Sequence, residues 1–295
     1  MLNISQLGFN TFWWTDLYTE TALRGCISCV ADLGYKYIEF KRDSFQPEHR
    51  AAQIAKAVAL ASESGLKTSN LVALTNLSNG EQQPVNDVID MVRIASEVQV
   101  PLLNVPLYGG VGQYPQNPDH WWMAPQPCHA TGWDHIVAAL EKICAAADRY
   151  GVDIVAETLA GGFVGDFYGL QELFSRFDHP RLNLTMDPSH LFLWRNDIPY
   201  AIRRLGSKIK HVHLKDAVGS PGNNADSMFP LPGAGGIDWT NFFKALDDIN
   251  YQGALSVEYE QFRYMNDVLH NDPAPAAAEG FRAASAVLQH YLNNR

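Results

Sequence analysis

Apolar residues fall in short runs that break off at polar residues or glycine, and between the runs lie longer stretches in which they return every three or four positions. Runs of the first kind predict strands over Leu7–Trp14, Tyr35–Lys41, Leu66–Leu74, Pro101–Tyr108, Val152–Leu159, Leu182–His190, Ile209–Asp216 and Ala254–Glu260. The longer spacing predicts helices between them, most clearly over Arg50–Ser64 and Trp133–Tyr150, with a last helix near Ala276–Leu292. In ADLGYKYIEF, ASESGLKTSN, DRYGVDIVAE and INYQGALSVE a glycine stands between helix and strand, where a helix end favours a left-handed residue. Strand and helix thus alternate through the chain, which predicts one α/β domain over residues 1–295, a parallel (β/α)8 barrel. A doubly wound open sheet would carry a glycine-rich first turn, and none is present.

Two connections are long, about Gly109–Thr131 and about Ala217–Ile237, and both follow strand ends, where barrel enzymes keep their active sites. In the first, Trp121 and Trp122 either wall a sugar face or cover the barrel mouth or an oligomer contact. Cys128 and His129 in the same loop read as scaffold.

The last four strands end in polar residues. VDIVAETL presents Glu157, LNLTMDPSH presents Asp187 and His190, IKHVHLKD presents His211, His213, Lys215 and Asp216, and ALSVEYE presents Glu258 and Glu260. One acid at a strand end can be a cap; a succession at one rim reads as a site. Strand alternation puts residues 211, 213 and 215 on one face, which points into the barrel. Two Glu, one Asp and one His form an oxygen-rich donor set that suits Mn²⁺, Co²⁺ or Mg²⁺ better than a structural zinc. One such ion would polarise the carbonyl and hydroxyl of a sugar and stabilise an enediolate, with Glu157 and Glu258 placed to exchange the proton.

Composition narrows the partners. The formal charge of −10 disfavours nucleic acid and anionic membranes. No apolar run is long enough to span a bilayer, and MLNISQLGFN has neither the basic nor the apolar region of a secretory signal, so the expectation is a cytoplasmic enzyme with reduced thiols. Cys26 and Cys29 read as two small thiols on one helix face. The expected assembly is a homo-oligomer, a dimer or tetramer, with a hetero-oligomer left open.

Taken together, AETL, MDPSH, HVHLKD, LPGAGGIDW and VEYE resemble the xylose-isomerase-like barrel superfamily, in particular its sugar isomerase and epimerase branch, over essentially the whole chain. The resemblance implies that Glu157, Asp187, His213 and Glu258 hold the metal, that the two Glu are the acid–base pair, and that His190 contacts the substrate. The lysine of HLKD, Lys215, matches inosose dehydratase and isomerase relatives more closely than ketose epimerases. Apurinic endonucleases of the superfamily carry extra histidines at the third and fourth strand ends and a D-x-H after the seventh; this chain has neither. The expected reaction is isomerisation or epimerisation of a keto-sugar or cyclitol ketone. The alternatives are a lyase using the same enediolate, either an inosose dehydratase or a 3-keto-glycoside-cleaving enzyme, and a non-catalytic sugar-binding barrel.

Further substrate contacts are expected around this centre. Lys215 either binds substrate or pairs with Asp216 or Glu260. Glu39, at the end of IEF, either faces the pocket or caps a helix. Asn104 on the fourth strand is expected to line the pocket, and Arg263 to reach a substrate hydroxyl or carboxylate. His211 reads as a supporting polar residue behind the ligands.

Overall fold

The computed structural model describes residues 1–108, 130–219 and 229–295. Its strands are β1 (Leu7–Asn10), β2 (Tyr37–Lys41), β3 (Lys67–Val72), β4 (Thr75–Asn76), β5 (Leu102–Tyr108), β6 (Asp153–Glu157), β7 (Leu182–Met186), β8 (Ile209–Leu214) and β9 (Leu255–Val257). All pair in parallel. The ring runs β1–β2–β3–β5–β6–β7–β8–β9 and closes from β9 to β1. The two-residue β4 continues the position of β3 and pairs with the outer end of β5, so the barrel has eight staves. The (β/α)8 barrel expected from the alternation is the observed fold. No helix among the described residues is long and apolar enough to cross a membrane.

Helices cover the outside through their apolar stripes. Helix Arg50–Glu63 buries Ile54, Ala57, Leu60 and Ala61. Helix Ala130–Tyr150 buries Ile136, Ala139, Leu140, Ile143, Cys144 and Ala147. Each set keeps the spacing that places side chains on one helical face. The last helix starts at Pro273, capped by the Asp272 side chain, rather than near Ala276, because proline is well tolerated in a first turn whose N–H groups lack helical partners. Cys26 and Cys29 lie on helix Glu20–Asp32 as free thiols, and burial raises the pKa of both, which makes them weak nucleophiles.

Three of the four expected glycine caps take positive φ: Gly34 (101°), Gly65 (77°) and Gly151 (71°). The fourth differs. After helix Trp239–Asp248 the left-handed residue is Asn250 (φ 56°), and Gly253 is required for space instead, since a Cβ there would lie 2.9 Å from the Lys210 carbonyl.

Inside the ring, strand register builds a polar layer. Asn10 on β1 aligns with Glu39 on β2, and Glu39 aligns with Asn70 on β3, so these side chains share the inner face. The strand predicted over Ala254–Glu260 pairs only through Leu255–Val257, which leaves Glu258 just beyond the ladder at the rim.

Candidate metal centre

Four side chains converge at the carboxyl ends of the strands. Glu157 closes β6, Asp187 follows β7, His213 lies on β8 and Glu258 follows β9. Each offers one donor atom, and these atoms all lie within 4.8 Å of one another. The His213 Nδ1 atom is the hub, 2.7 Å from Glu157 Oε1, 3.4 Å from Glu258 Oε2 and 3.9 Å from Asp187 Oδ2.

The local sequence fixes how each carboxylate is presented. In MDPSH, Pro188 starts helix Pro188–Leu193, and Asp187 is its N-cap. Asp187 Oδ1 accepts from Ser189 N at 2.8 Å and Ser189 Oγ at 2.6 Å. Its Oδ2 is buried and faces the centre, with the Lys215 ammonium 2.9 Å away. Glu157 Oε2 accepts from Asn104 Nδ2 at 2.8 Å, and Glu258 Oε1 accepts from Asn10 Nδ2 at 2.9 Å. Each acid therefore has one oxygen held by the protein and one turned to the hub.

Lys215 provides the counter-charge. Its Nζ lies 2.9 Å from Asp187 Oδ2, 2.6 Å from Glu258 Oε2 and 2.7 Å from Glu260 Oε2, and the side chain is 2% exposed. The pairing with Glu260 anticipated as an alternative is present; that with Asp216 is not among the described contacts. Asp216 instead accepts from the backbone N–H of Ala217, Gly233, Gly235 and Ile237 and from Trp239 Nε1. It fastens the segment after β8.

Burial makes these charges interact strongly. Desolvation raises the pKa of Glu157, and Glu258 and Asp187 add to it, against His213. Burial alone would lower the pKa of His213, but Glu258, Glu157 and Glu39 hold it well above its ordinary value. His190 is pushed down to about 3 by burial and by Lys215, so its ring is neutral. It accepts from the Ala160 N–H at Nδ1 (3.3 Å), and its Nε2 lies 3.3 Å from Lys215 Nζ.

The donor set fits a divalent cation. It combines three carboxylate oxygens and one imidazole nitrogen, all within 4.8 Å of one another. Lys215 offsets only part of the negative charge. The arrangement can bind such an ion, with Glu157 and Glu258 brought to it from different strands, β6 and β9.

The other expected site residues divide. Asn104 holds Glu157. Glu39, expected to face the pocket or cap a helix, lies on the inner face, fully buried beneath the centre, with its oxygens engaged by His211, His213 and Asn70. Arg263 is exposed on helix Phe262–Asp267, and none of the described contacts ties it to the centre. Trp121, Trp122, Cys128 and His129 lie outside the described residues. Sequence reasoning passed over Asn10, Asn70 and Ser189. The signal for Asn10, a polar residue closing an apolar run, was the one used elsewhere, but the first strand was read past it to Trp14.

The model of the family described as xylose isomerase-like TIM barrel matches residues 27–287. The chain belongs to that family. Within wider comparisons, an inosose dehydratase of Clostridium perfringens is 30% identical over 141 residues, covering 44% of this chain and 48% of that protein. The chain thus spans about half the length of such inosose dehydratases in these matches. Two solved structures share the barrel fold almost end to end. An L-ribulose 3-epimerase superposes with a TM-score of 0.73 at 19% identity, covering 98% of this chain and 96% of its own. The IolI protein with a bound zinc atom gives 0.71 at 19% identity, covering 97% and 98%.

Proposed function

We propose that this protein is a divalent-metal-dependent isomerase or epimerase that moves a proton at the carbon beside the carbonyl of a keto-sugar or cyclitol ketone. The observation that carries this reading is the approach of two carboxylates from different strands to the same His213 Nδ1, Glu157 at 2.7 Å and Glu258 at 3.4 Å. Glu157, Asp187, His213 and Glu258 would hold the cation, which when bound polarises the substrate carbonyl and makes the neighbouring C–H more acidic. Mn²⁺ and Co²⁺ suit the donor set, with Mg²⁺ and Zn²⁺ as further candidates.

Glu157 and Glu258 then have complementary tasks. One removes the proton from one face of the substrate carbon and the other returns a proton to the opposite face, which inverts that carbon. Asn104 and Asn10 keep the carboxylates from rotating out of reach by holding their second oxygens. The neutral imidazole of His190 lines the same centre and is placed to hydrogen-bond a substrate oxygen, while the ammonium of Lys215 holds Asp187, Glu258 and Glu260 around it.

A lyase reading is favoured by two features. The relative described above is named an inosose dehydratase, and Lys215 places an N–H donor beside Glu258, where a departing hydroxyl needs a proton. The metal-loaded protein incubated in D₂O with keto-inositols, free ketoses and 3-keto-glycosides separates these readings by NMR. Deuterium beside the carbonyl with an inverted carbon supports the epimerase; loss of a hydroxyl or an aglycone supports the lyase. No exchange with any of the three classes would sink both.

A further inference from the structure

The metal-ligand reading leaves Glu39 unexplained: a fully buried carboxylate under the centre, on the inner face of β2. Its Oε1 lies 2.9 Å from His211 Nε2. Its Oε2 accepts from Asn70 Nδ2 at 3.0 Å and lies 3.4 Å from His213 Nε2. The two histidines stand two residues apart on β8, both facing inward, with their rings perpendicular and 5.2 Å between centroids. One carboxylate therefore spans two imidazoles through their matching nitrogens.

From this geometry we infer that Glu39 is a positioning residue: it accepts the Nε2–H of both His211 and His213, and so holds His213 in the tautomer whose bare Nδ1 faces Glu157, Asp187 and Glu258. The inference rests on the reading of those four residues as metal ligands. Two observations support it beyond the distances. His211 Nδ1 is buried without a hydrogen-bond partner, so a proton there would be unsatisfied, and its proton belongs on Nε2. The ring nitrogen of His213 turned to Glu157, Glu258 and Asp187 is Nδ1, so it is the one that would share a cation with their oxygens, while Nε2 points away from them to Glu39. A carboxylate behind a metal-binding histidine fixes ring orientation and raises the basicity of the ligating nitrogen. Asn10 and Asn70 flank Glu39 in register on β1 and β3, and Asn70 steadies the second oxygen.

Glu39→Gln is the informative change. An amide has one acceptor oxygen where the carboxylate has two, and its NH₂ would oppose one of the two ring N–H groups. Glu39→Asp keeps both oxygens but draws them back. Affinity is read by competition with a chelator using Co²⁺, together with the visible absorption of the Co²⁺ protein. The His213 tautomer is read from long-range ¹H–¹⁵N correlations of the Zn²⁺-loaded protein. The expected result is His213 protonated at Nε2 in the wild type, an affinity about 10–100-fold lower in Glu39→Gln with an altered Co²⁺ spectrum, and partial recovery in Glu39→Asp. Wild-type affinity and an unchanged tautomer in folded Glu39→Gln would overturn the assignment. If that variant does not fold, a wild-type His213 protonated at Nδ1 overturns it equally. Failure of the underlying metal site looks different: the wild type itself, compared with Asp187→Asn, would show no Co²⁺ binding.

Discussion

Lys215 Nζ lies 2.6 Å from Glu258 Oε2, and both belong to a cluster in which one ammonium faces three carboxylates. The lysine is buried, so its removal leaves those charges uncompensated in a medium that solvates them poorly. Lys215→Met is expected to destabilise the metal-free protein by about 3–5 kcal/mol, the scale for breaking a buried pair by losing one partner. Urea unfolding of the two proteins checks it. Saturating Co²⁺ should return part of the loss, since a cation at the neighbouring site offsets the same carboxylates; equal stability of variant and wild type would mean that the cluster is protonated or hydrated instead.

Chelation should remove activity and also stability. A ligand that binds only the folded state stabilises it by about 2.7 kcal/mol when present at one hundred times its dissociation constant. We expect one divalent ion per chain by elemental analysis, a thermal midpoint that rises with added Mn²⁺ or Co²⁺, and activity that returns with either ion. Full turnover in EDTA with no bound metal would refute the centre.

Glu157→Gln and Glu258→Gln each remove one half of the proposed acid–base pair. A positioned acid or base contributes about 10²–10⁴-fold to rate, and turnover is expected to fall on that scale. Each variant needs its metal content measured, because the same side chains are candidate ligands. A metal-loaded variant that retains wild-type turnover on the substrate identified by the exchange experiment removes that residue from the proton transfer.

The barrel was legible in the chain because eight apolar runs and the intervening helical spacings are long-range regularities that survive errors at individual ends. The acids were legible for a related reason: a charge directly after Val-, Ile- or Leu-rich strands has few ways to be satisfied except in a site. Contacts across the barrel were not legible. That Glu39 lies under His211 and His213 follows from the register of β2 against β1 and β3 and from ring closure, neither of which a linear pattern states. Asn10 was missed because the end of β1 was placed too late, and Gly253 was read as a cap because its reason, the nearby Lys210 carbonyl, lies on another strand. Asp216 was one of the alternative partners expected for its neighbour Lys215, whereas its described partners lie as far as Trp239.

Those partners bear on what the substrate carries. LPGAGGIDW is the glycine-dense piece after β8, the place where a barrel could cradle a phosphate. Its N–H groups are already engaged: Gly233 and Gly235 donate to Asp216 Oδ2 at 2.8 and 3.1 Å, and Ile237 donates to Oδ1 at 3.1 Å. A Cβ at Gly235 would overlap the Asp216 carboxylate, which explains the glycine without an external anion. The helix that follows, Trp239–Asp248, is capped by Asp238, whose side chain accepts from Asn241 N, so an acid already occupies the end that would attract an anion. Lys215 is committed to three carboxylates, and the chain carries a formal charge of −10. An unphosphorylated keto-sugar, cyclitol ketone or keto-glycoside is therefore the expected substrate. The measurement is kcat/KM for a neutral substrate against its phosphate ester. The neutral compound should be preferred; a tenfold preference for the ester, about 1.4 kcal/mol of transition-state binding, would show that a phosphate finds donors elsewhere at the rim.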